Sequence, residues 1–204
     1  MGLARSPEPL LAGDARLEPL LERGPARERV RETLTAYVPP DALQAQVRAR
    51  MLAFLDEHDD ALERSCAPGH FTASALVVDA AGEQALLTLH RKLGRWLQLG
   101  GHCDGDGNLG GSALREAREE SGIEGLALAP DPIDLDVHAI PARAGEPEHL
   151  HLDVRFLVVA PPGAVARASS ESLELRWLAA ADLASIPSDD SVRRLFRLAF
   201  ALDA

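Results

Sequence analysis

The sequence predicts an α/β fold in which a mixed sheet is sandwiched between helices and preceded by an N-terminal helical extension. Apolar residues between positions 15 and 57 recur at helical spacing, whereas from position 71 onward short runs of β-forming residues alternate with turn-forming segments. One helical pattern lies between these strands and another follows them, a combination typical of a sheet covered by helices. We therefore divide the chain into an extension over 1–66 and an α/β domain over 67–204.

The extension is predicted to contain three helices after an irregular arm over 1–14. Two short amphipathic helices are expected between positions 15 and 38, with a break at Gly24-Pro25. Asp41 is a plausible N-cap for a third helix that runs to about Glu57. No residue pattern here suggests chemistry, so we expect the extension to pack against the α/β domain or a second subunit.

The domain is predicted to begin with a β-hairpin, because two β-rich runs flank the turn at 79–83. Further strands are expected after it, and a loop containing Pro130 and Pro132 should precede one of them. Ser188 to Ser191 should cap a final helix. The predicted strands are 71–78, 84–90, 96–99, 133–140, 149–159 and 173–178.

Composition narrows the class of protein. The chain has 204 residues with 21 Lys and Arg against 32 Asp and Glu, a net charge of −11, which argues against a protein that binds a nucleic-acid duplex. Its two cysteines do not form a disulfide framework. The N-terminus lacks the pattern of a signal peptide, and no apolar run approaches the roughly 20 residues of a membrane span. A cytoplasmic protein without membrane contact is expected.

The most informative stretch runs from Gly100 to Ile123. Glu116, Glu119 and Glu120 lie at positions i, i+3 and i+4, so on a helix their carboxylates share one face. Such a crowd of negative charge is costly without a cation, and oxygen ligands favour Mg²⁺ or Mn²⁺ over zinc. The sequence therefore predicts a divalent-metal site on this helix.

This stretch resembles the Nudix box, the motif of the Nudix hydrolases, with the pattern G-x5-E-x7-R-E-U-x-E-E-x-G-U, where U is a bulky apolar residue. The sequence departs from this pattern at two positions. Gly107 stands where the family has Glu, and the small Ala117 stands where the family has the first bulky apolar residue. Asp104 or Asp106 are the two candidates to replace the missing glutamate. The matching residues are Gly101, Arg115, Glu116, Glu119, Glu120, Gly122 and Ile123.

The resemblance implies a Nudix-type α/β/α sandwich and a metal-dependent hydrolase that cleaves a diphosphate linkage in a small nucleotide or related molecule. It implies that Glu116, Glu119 and Glu120 hold the metal, with the backbone carbonyl of Gly100 as a further ligand. Arg115 would orient a carboxylate. The family also places a general base or further ligand on a later loop.

For that loop residue, Glu171 is our candidate and Glu174 a weaker alternative, while a solvated loop carboxylate is an equally good interpretation of Glu171. Among basic residues before the box, Arg91, Lys92 and Arg95 are candidate substrate-phosphate contacts, although a solvated turn would explain them as well.

His149, His151 and Asp153 fall on one face of a predicted strand, which resembles a metal site. A row of polar residues that lines the substrate cleft, or a partly buried hydrogen-bonded row, is the commoner outcome of such a pattern. His151 is taken as a substrate-binding candidate. Cys103 follows the box glycines, and we expect a buried thiol there in preference to the catalytic cysteine of the isopentenyl diphosphate isomerases.

Two alternatives to a hydrolase stay open. One is a Nudix-derived sensor that binds a nucleotide without hydrolysing it, which Gly107 favours and the intact second half of the box disfavours. The other is an isomerase. A homodimer is also possible, because many relatives are dimers.

Overall fold

A mixed β-sheet covered by helices on both faces forms the centre of the molecule. The computed structural model describes residues 10–11, 26–91, 93–143, 145–169 and 172–201. Within these residues the strands are β1 (Leu10–Leu11), β2 (Gly69–Val78), β3 (Gln84–His90), β4 (Trp96–Leu97), β5 (Leu99–His102), β6 (Ala127–Ile140), β7 (His149–Val159) and β8 (Ser172–Ala179). The helices are α1 (Ala26–Ala36), α2 (Ala42–Glu57), α3 (Leu109–Ser121), a 3₁₀ helix (Ala180–Ser185) and α4 (Asp190–Phe200).

The strands of the described chain form one sheet in the order β1-β6-β7-β2-β3-β4, with β5 also paired to β2 and β8 to β3. β2 and β7 are parallel, and the other pairs are antiparallel. Every residue of β2 is buried, as expected for a strand covered on both faces. This architecture confirms the predicted fold class.

The two faces of β2 belong to different cores. Phe71, Ala73 and Val77 join a core that includes residues of α1, α2 and α3, whereas Leu76 and Val78 join one that includes α4. The face of β2 that carries Leu76 and Val78 is polar in the first half of the strand, where its residues are His70, Thr72 and Ser74. The register pairs these three with His151, Asp153 and Arg155 of β7, so a polar area continues across the sheet.

The N-terminal helices pack against the rest of the chain, as expected. Val30 of α1 and Met51 of α2 are fully buried in the core that also contains Phe71. Gln44 is 1 % exposed, and its side chain exchanges two hydrogen bonds with the backbone of Leu135 in β6, at 3.0 and 3.1 Å. The Asp41 carboxylate caps α2 by accepting the N–H of Gln44 at 2.8 Å.

Two sequence-based expectations are wrong. The arm over 1–14 is not wholly irregular, because Leu10–Leu11 pairs with Ala127–Leu128 of β6. Pro130 and Pro132 lie inside β6 and not in a loop before it. Proline lacks an N–H to donate, and β6 accommodates these prolines where its pairing with β7 shifts register. The helix predicted between positions 15 and 23 falls outside the described residues.

None of the described helices is both long enough and apolar enough to cross a membrane.

Candidate active site

Helix α3 is held with one face in the core and with caps at both ends. The Asn108 side chain accepts the N–H of Gly111 at 2.9 Å, and Gly122 ends the helix in the left-handed conformation at φ 64°. Ala113 and Ala117 are fully buried beneath the helix. Ala117, small where the motif has a bulky residue, is therefore a core contact.

The carboxylates of Glu116 and Glu120 meet the backbone of Gly100 and Gly101 in β5. The N–H of Gly100 lies 3.3 Å from Glu120 Oε2, within hydrogen-bond distance. A Cβ on Gly101 would lie 2.5 Å from Glu116 Oε2, and one on Gly100 would lie 2.3 Å from the Cβ of Ser74. Close approach of the Ser74 backbone therefore requires glycine at position 100, whereas a side chain at position 101 would displace the Glu116 carboxylate.

The oxygen atoms gathered here fit a hard divalent cation. Glu116 and Glu120 are half-buried and supply carboxylate oxygens, and the Glu120 carboxylate lies against the backbone N–H of Gly100. Oxygen-only ligand sets suit Mg²⁺ or Mn²⁺. Glu119 is exposed and lines an adjacent groove with Arg115, so its carboxylate stands to one side of this pair.

Arg115 holds the first of these carboxylates in place. Its guanidinium donates to Glu116 Oε1 at 2.8 Å and to the carbonyl oxygen of His102 at 3.1 Å. The first contact lies within α3, and the second joins α3 to the end of β5. The expectation that Arg115 orients a carboxylate thus has a geometric basis, with Glu116 as its partner.

Gly107, where the family pattern has Glu, lies directly against the N-terminal extension. A Cβ at this position would lie 2.1 Å from the carbonyl oxygen of Ala26, the first residue of α1. Neither acidic candidate replaces the missing side chain as a partner of Arg115 among the described contacts. Asp104 binds Arg64 at 2.6 Å, and Asp106 accepts the N–H of Asn108 at 2.8 Å.

Restoring the family residue, Gly107→Glu, is expected to destabilise the protein by about 1–3 kcal/mol, because the backbone of Ala26 must move. Gly107→Ala should cost a similar amount, since it carries the same Cβ without the charge. Urea unfolding of both variants measures the effect. A fully stable alanine variant would contradict this steric explanation.

The other predicted residues lie elsewhere or outside the described chain. Arg91 and Arg95 are exposed at the turn between β3 and β4, and Arg91 donates to the carbonyl of Ser172 at 3.3 Å. Glu174 pairs with Arg176 at 2.6 Å. Lys92 and Glu171 fall outside the described residues.

The histidine pattern in β7 divides between two groups. Asp153 accepts hydrogen bonds from Thr72 and Ser74 at 3.1 and 2.8 Å, whereas the ring of His151 lies 4.9 Å from that of His70. Burial, together with neighbouring imidazoles, lowers the pKa of His70 to about 4 and that of His151 to about 2. Both rings are therefore neutral at neutral pH.

A buried charge network continues the polar area beyond Asp153. Arg155 donates to Asp153 at 2.8 Å, to Asp134 at 3.2 Å and to Asp136 at 3.0 Å. Arg194 of α4 adds contacts to Asp134 and Asp136 at 2.8 and 3.0 Å. The network joins the neighbouring strands β6 and β7 to helix α4. Sequence reasoning missed it, because its members are distant in the chain.

Cys103 is 1 % exposed, and burial raises the pKa of its thiol well above the usual range. A protonated, enclosed thiol is a poor nucleophile. This agrees with the expectation of a passive buried cysteine.

Comparison with known proteins identifies the family. The family model described as "NUDIX domain" matches residues 68–199, which is more than half of the chain. This protein belongs to the NUDIX domain family, as the box predicted, and the prediction of an enzyme of the Nudix pyrophosphohydrolase class is confirmed at the level of the family. A comparison with functionally curated proteins gives no match.

Solved structures share the fold. A NUDIX-family hydrolase from Clostridium perfringens is 24 % identical with a TM-score of 0.50, covering 65 % of this chain and 96 % of its own. The Ap4A hydrolase of C. elegans, in a binary complex, is 20 % identical with a TM-score of 0.52, covering 63 % and 93 %. The dihydroneopterin triphosphate pyrophosphohydrolase of E. coli is 17 % identical with a TM-score of 0.50, covering 62 % and 92 %.

Proposed function

We propose that this protein is a divalent-metal-dependent hydrolase that cleaves the diphosphate linkage of a small nucleoside-diphosphate-type molecule. The observation that carries the proposal is the convergence of Glu116 and Glu120 on the glycine backbone of β5. Mg²⁺ or Mn²⁺ held there would neutralise diphosphate oxygens and acidify a water molecule. The net charge of −11 supports this, since an anionic protein acting on an anionic substrate needs cations.

The residues of the chain have separate roles in this proposal. Glu116 and Glu120, with the carbonyl of Gly100, hold the cation, and Glu119 supplies a further carboxylate from the adjoining groove. Arg115 positions Glu116 through its hydrogen bond. Such positioning matters because catalysis of phosphoryl chemistry is mostly orientation and electrostatics.

For the remaining roles the support comes from the sequence. Glu171 is proposed as the general base. Arg91, Lys92 and Arg95 are proposed to contact substrate phosphates, and His151 to line the cleft. The cytoplasmic location and a homodimer stay predictions.

The substrate is left at the level of its class. The similar structures include proteins named for Ap4A and for dihydroneopterin triphosphate, so the same fold is found with different phosphate compounds. ADP-ribose, nucleotide sugars, coenzyme A, dinucleoside polyphosphates and oxidised nucleotides are the compounds to compare.

A panel of these compounds tests the proposal. Product release measured with Mg²⁺ or Mn²⁺, and again with EDTA, is expected to show hydrolysis of at least one compound that EDTA abolishes. Tight, metal-independent binding without hydrolysis of any compound would instead identify a nucleotide sensor. Hydrolysis that is unaffected by EDTA would contradict the metal-dependent mechanism.

A further inference from the structure

Three histidines from three different strands converge beside the box strand. His70 of β2, His102 of β5 and His151 of β7 have ring centroids 4.9 to 5.3 Å apart. Each offers one ring nitrogen, and these nitrogens lie within 4.8 Å of one another. The strand register produces this arrangement, because His70 is directly paired with His151, and His102 is paired with Thr72, two residues further along β2.

The hydrogen bonding of His70 is incomplete. This residue is 3 % exposed, and neither of its ring nitrogens has a hydrogen-bond partner within the described part of the chain. Buried polar groups are nearly always satisfied, so two unsatisfied nitrogens on one enclosed ring need a physical explanation. A bound cation would satisfy one of these nitrogens.

A fourth histidine limits the freedom of the His70 ring. His149 stacks on His70 with a centroid distance of 5.0 Å and an interplanar angle of 25°. Its Nδ1 lies 2.9 Å from the carbonyl oxygen of Pro147, which can only accept, so the proton is on Nδ1. This hydrogen bond fixes the tautomer and the orientation of the ring that stacks on His70.

We propose that His70, His102 and His151 bind one divalent transition-metal ion, such as Zn²⁺, and leave its fourth position open. Three imidazole nitrogens form a set that zinc and its neighbours accept and that Mg²⁺ does not prefer. Metal–nitrogen bonds of about 2.1 Å in a tetrahedral site place the nitrogens roughly 3.4 Å apart. Rotation of the side chains must therefore draw the three nitrogens closer.

This nitrogen site is distinct from the oxygen site formed by the box. His102 follows Gly100 by two residues, and its carbonyl accepts a hydrogen bond from Arg115, so the two sites adjoin through β5. The open position would accept water or a phosphate oxygen. The inference does not depend on the hydrolytic function, because it concerns metal binding alone.

Calorimetric titration of the metal-free, full-length protein with Zn²⁺ in excess Mg²⁺ tests this proposal. We expect one Zn²⁺ ion per chain, since Mg²⁺ saturates the carboxylates but does not compete for imidazole. His102→Asn and His151→Asn should each weaken Zn²⁺ binding by about 100-fold or more. Both residues are only half-buried, so we expect the variants to fold, and circular dichroism is the check.

Two control variants separate this site from its surroundings. His138→Asn removes an imidazole 5.6 Å from His151 that lies outside the three-histidine group, and it should leave Zn²⁺ affinity within a few-fold of wild type. Glu116→Gln, in the box, should also keep it. Unchanged Zn²⁺ affinity in both test variants, or loss of binding in Glu116→Gln, would overturn the assignment.

Co²⁺ distinguishes the three histidines from another group in the described chain, His58, Asp60 and Cys66. Cobalt bound by three imidazoles lacks the intense near-ultraviolet absorption that a thiolate ligand produces. We expect a spectrum without that band and one that His151→Asn abolishes. A thiolate band lost in Cys66→Ser would assign the metal to the other group and refute the proposal.

Discussion

Glu120→Gln is expected to lower the rate of metal-dependent diphosphate hydrolysis by about 10²–10³-fold while leaving the fold intact. Glu120 Oε2 lies beside the N–H of Gly100, in the pair of carboxylates proposed to hold the cation. The amide keeps the size of the side chain but removes its charge, so the variant should bind the cation poorly. Metal titration and turnover on the same hydrolysed compound measure both effects.

Glu124→Gln is the matched control for this experiment. It makes the same chemical change in an exposed carboxylate that pairs with Arg118 at 2.9 Å just beyond α3. We expect its turnover and metal affinity to stay close to those of the wild type, since surface pairs contribute little. Undiminished turnover in Glu120→Gln would remove this residue from the proposed site.

Arg155→Met is expected to destabilise the protein by about 3–5 kcal/mol. The Arg155 side chain is 3 % exposed and pairs with three carboxylates, of which Asp134 is fully buried. Methionine fills much of the volume but leaves three carboxylates with only Arg194 to offset their charge, in a medium that solvates them poorly. The free energy of unfolding from urea denaturation is the measurement.

Arg193→Met is the control, because it makes the same substitution in an ion pair on the surface. Arg193 pairs with Asp190 at 2.9 Å on the surface, where the Asp190 side chain is 98 % exposed, and its loss should cost less than about 1 kcal/mol. A double variant that adds Asp153→Asn to Arg155→Met should recover part of the lost stability, because one uncompensated charge is gone. Equal losses of unfolding free energy in Arg155→Met and Arg193→Met would show that the buried network contributes no more to stability than a surface ion pair.

The parts of the fold that were predictable depend on local patterns. α2 begins after Asp41 as its capping residue indicated, and β7 has the predicted limits because its alternating polar and apolar residues lead into an apolar end. The box helix and its glycine end were predictable for the same reason. In these segments the information lies within a few residues along the chain.

The unpredicted parts depend on contacts between distant segments. Arg155 is partnered by Asp134 in a neighbouring strand, and His151 by His70, through a register that no single segment specifies. The strand at Leu10–Leu11 exists because an edge of β6 is available to pair with it. Each of these requires the sheet order, which the sequence pattern alone does not determine.

The contact between Gly107 and Ala26 has a consequence for exchange of segments between relatives. Because the start of α1 occupies the space beside the box loop, the loop and the extension are fitted to each other. A box grafted from a family member that carries glutamate at this position would force α1 away from the loop. A chimaera of that kind would need its first helix redesigned together with its box.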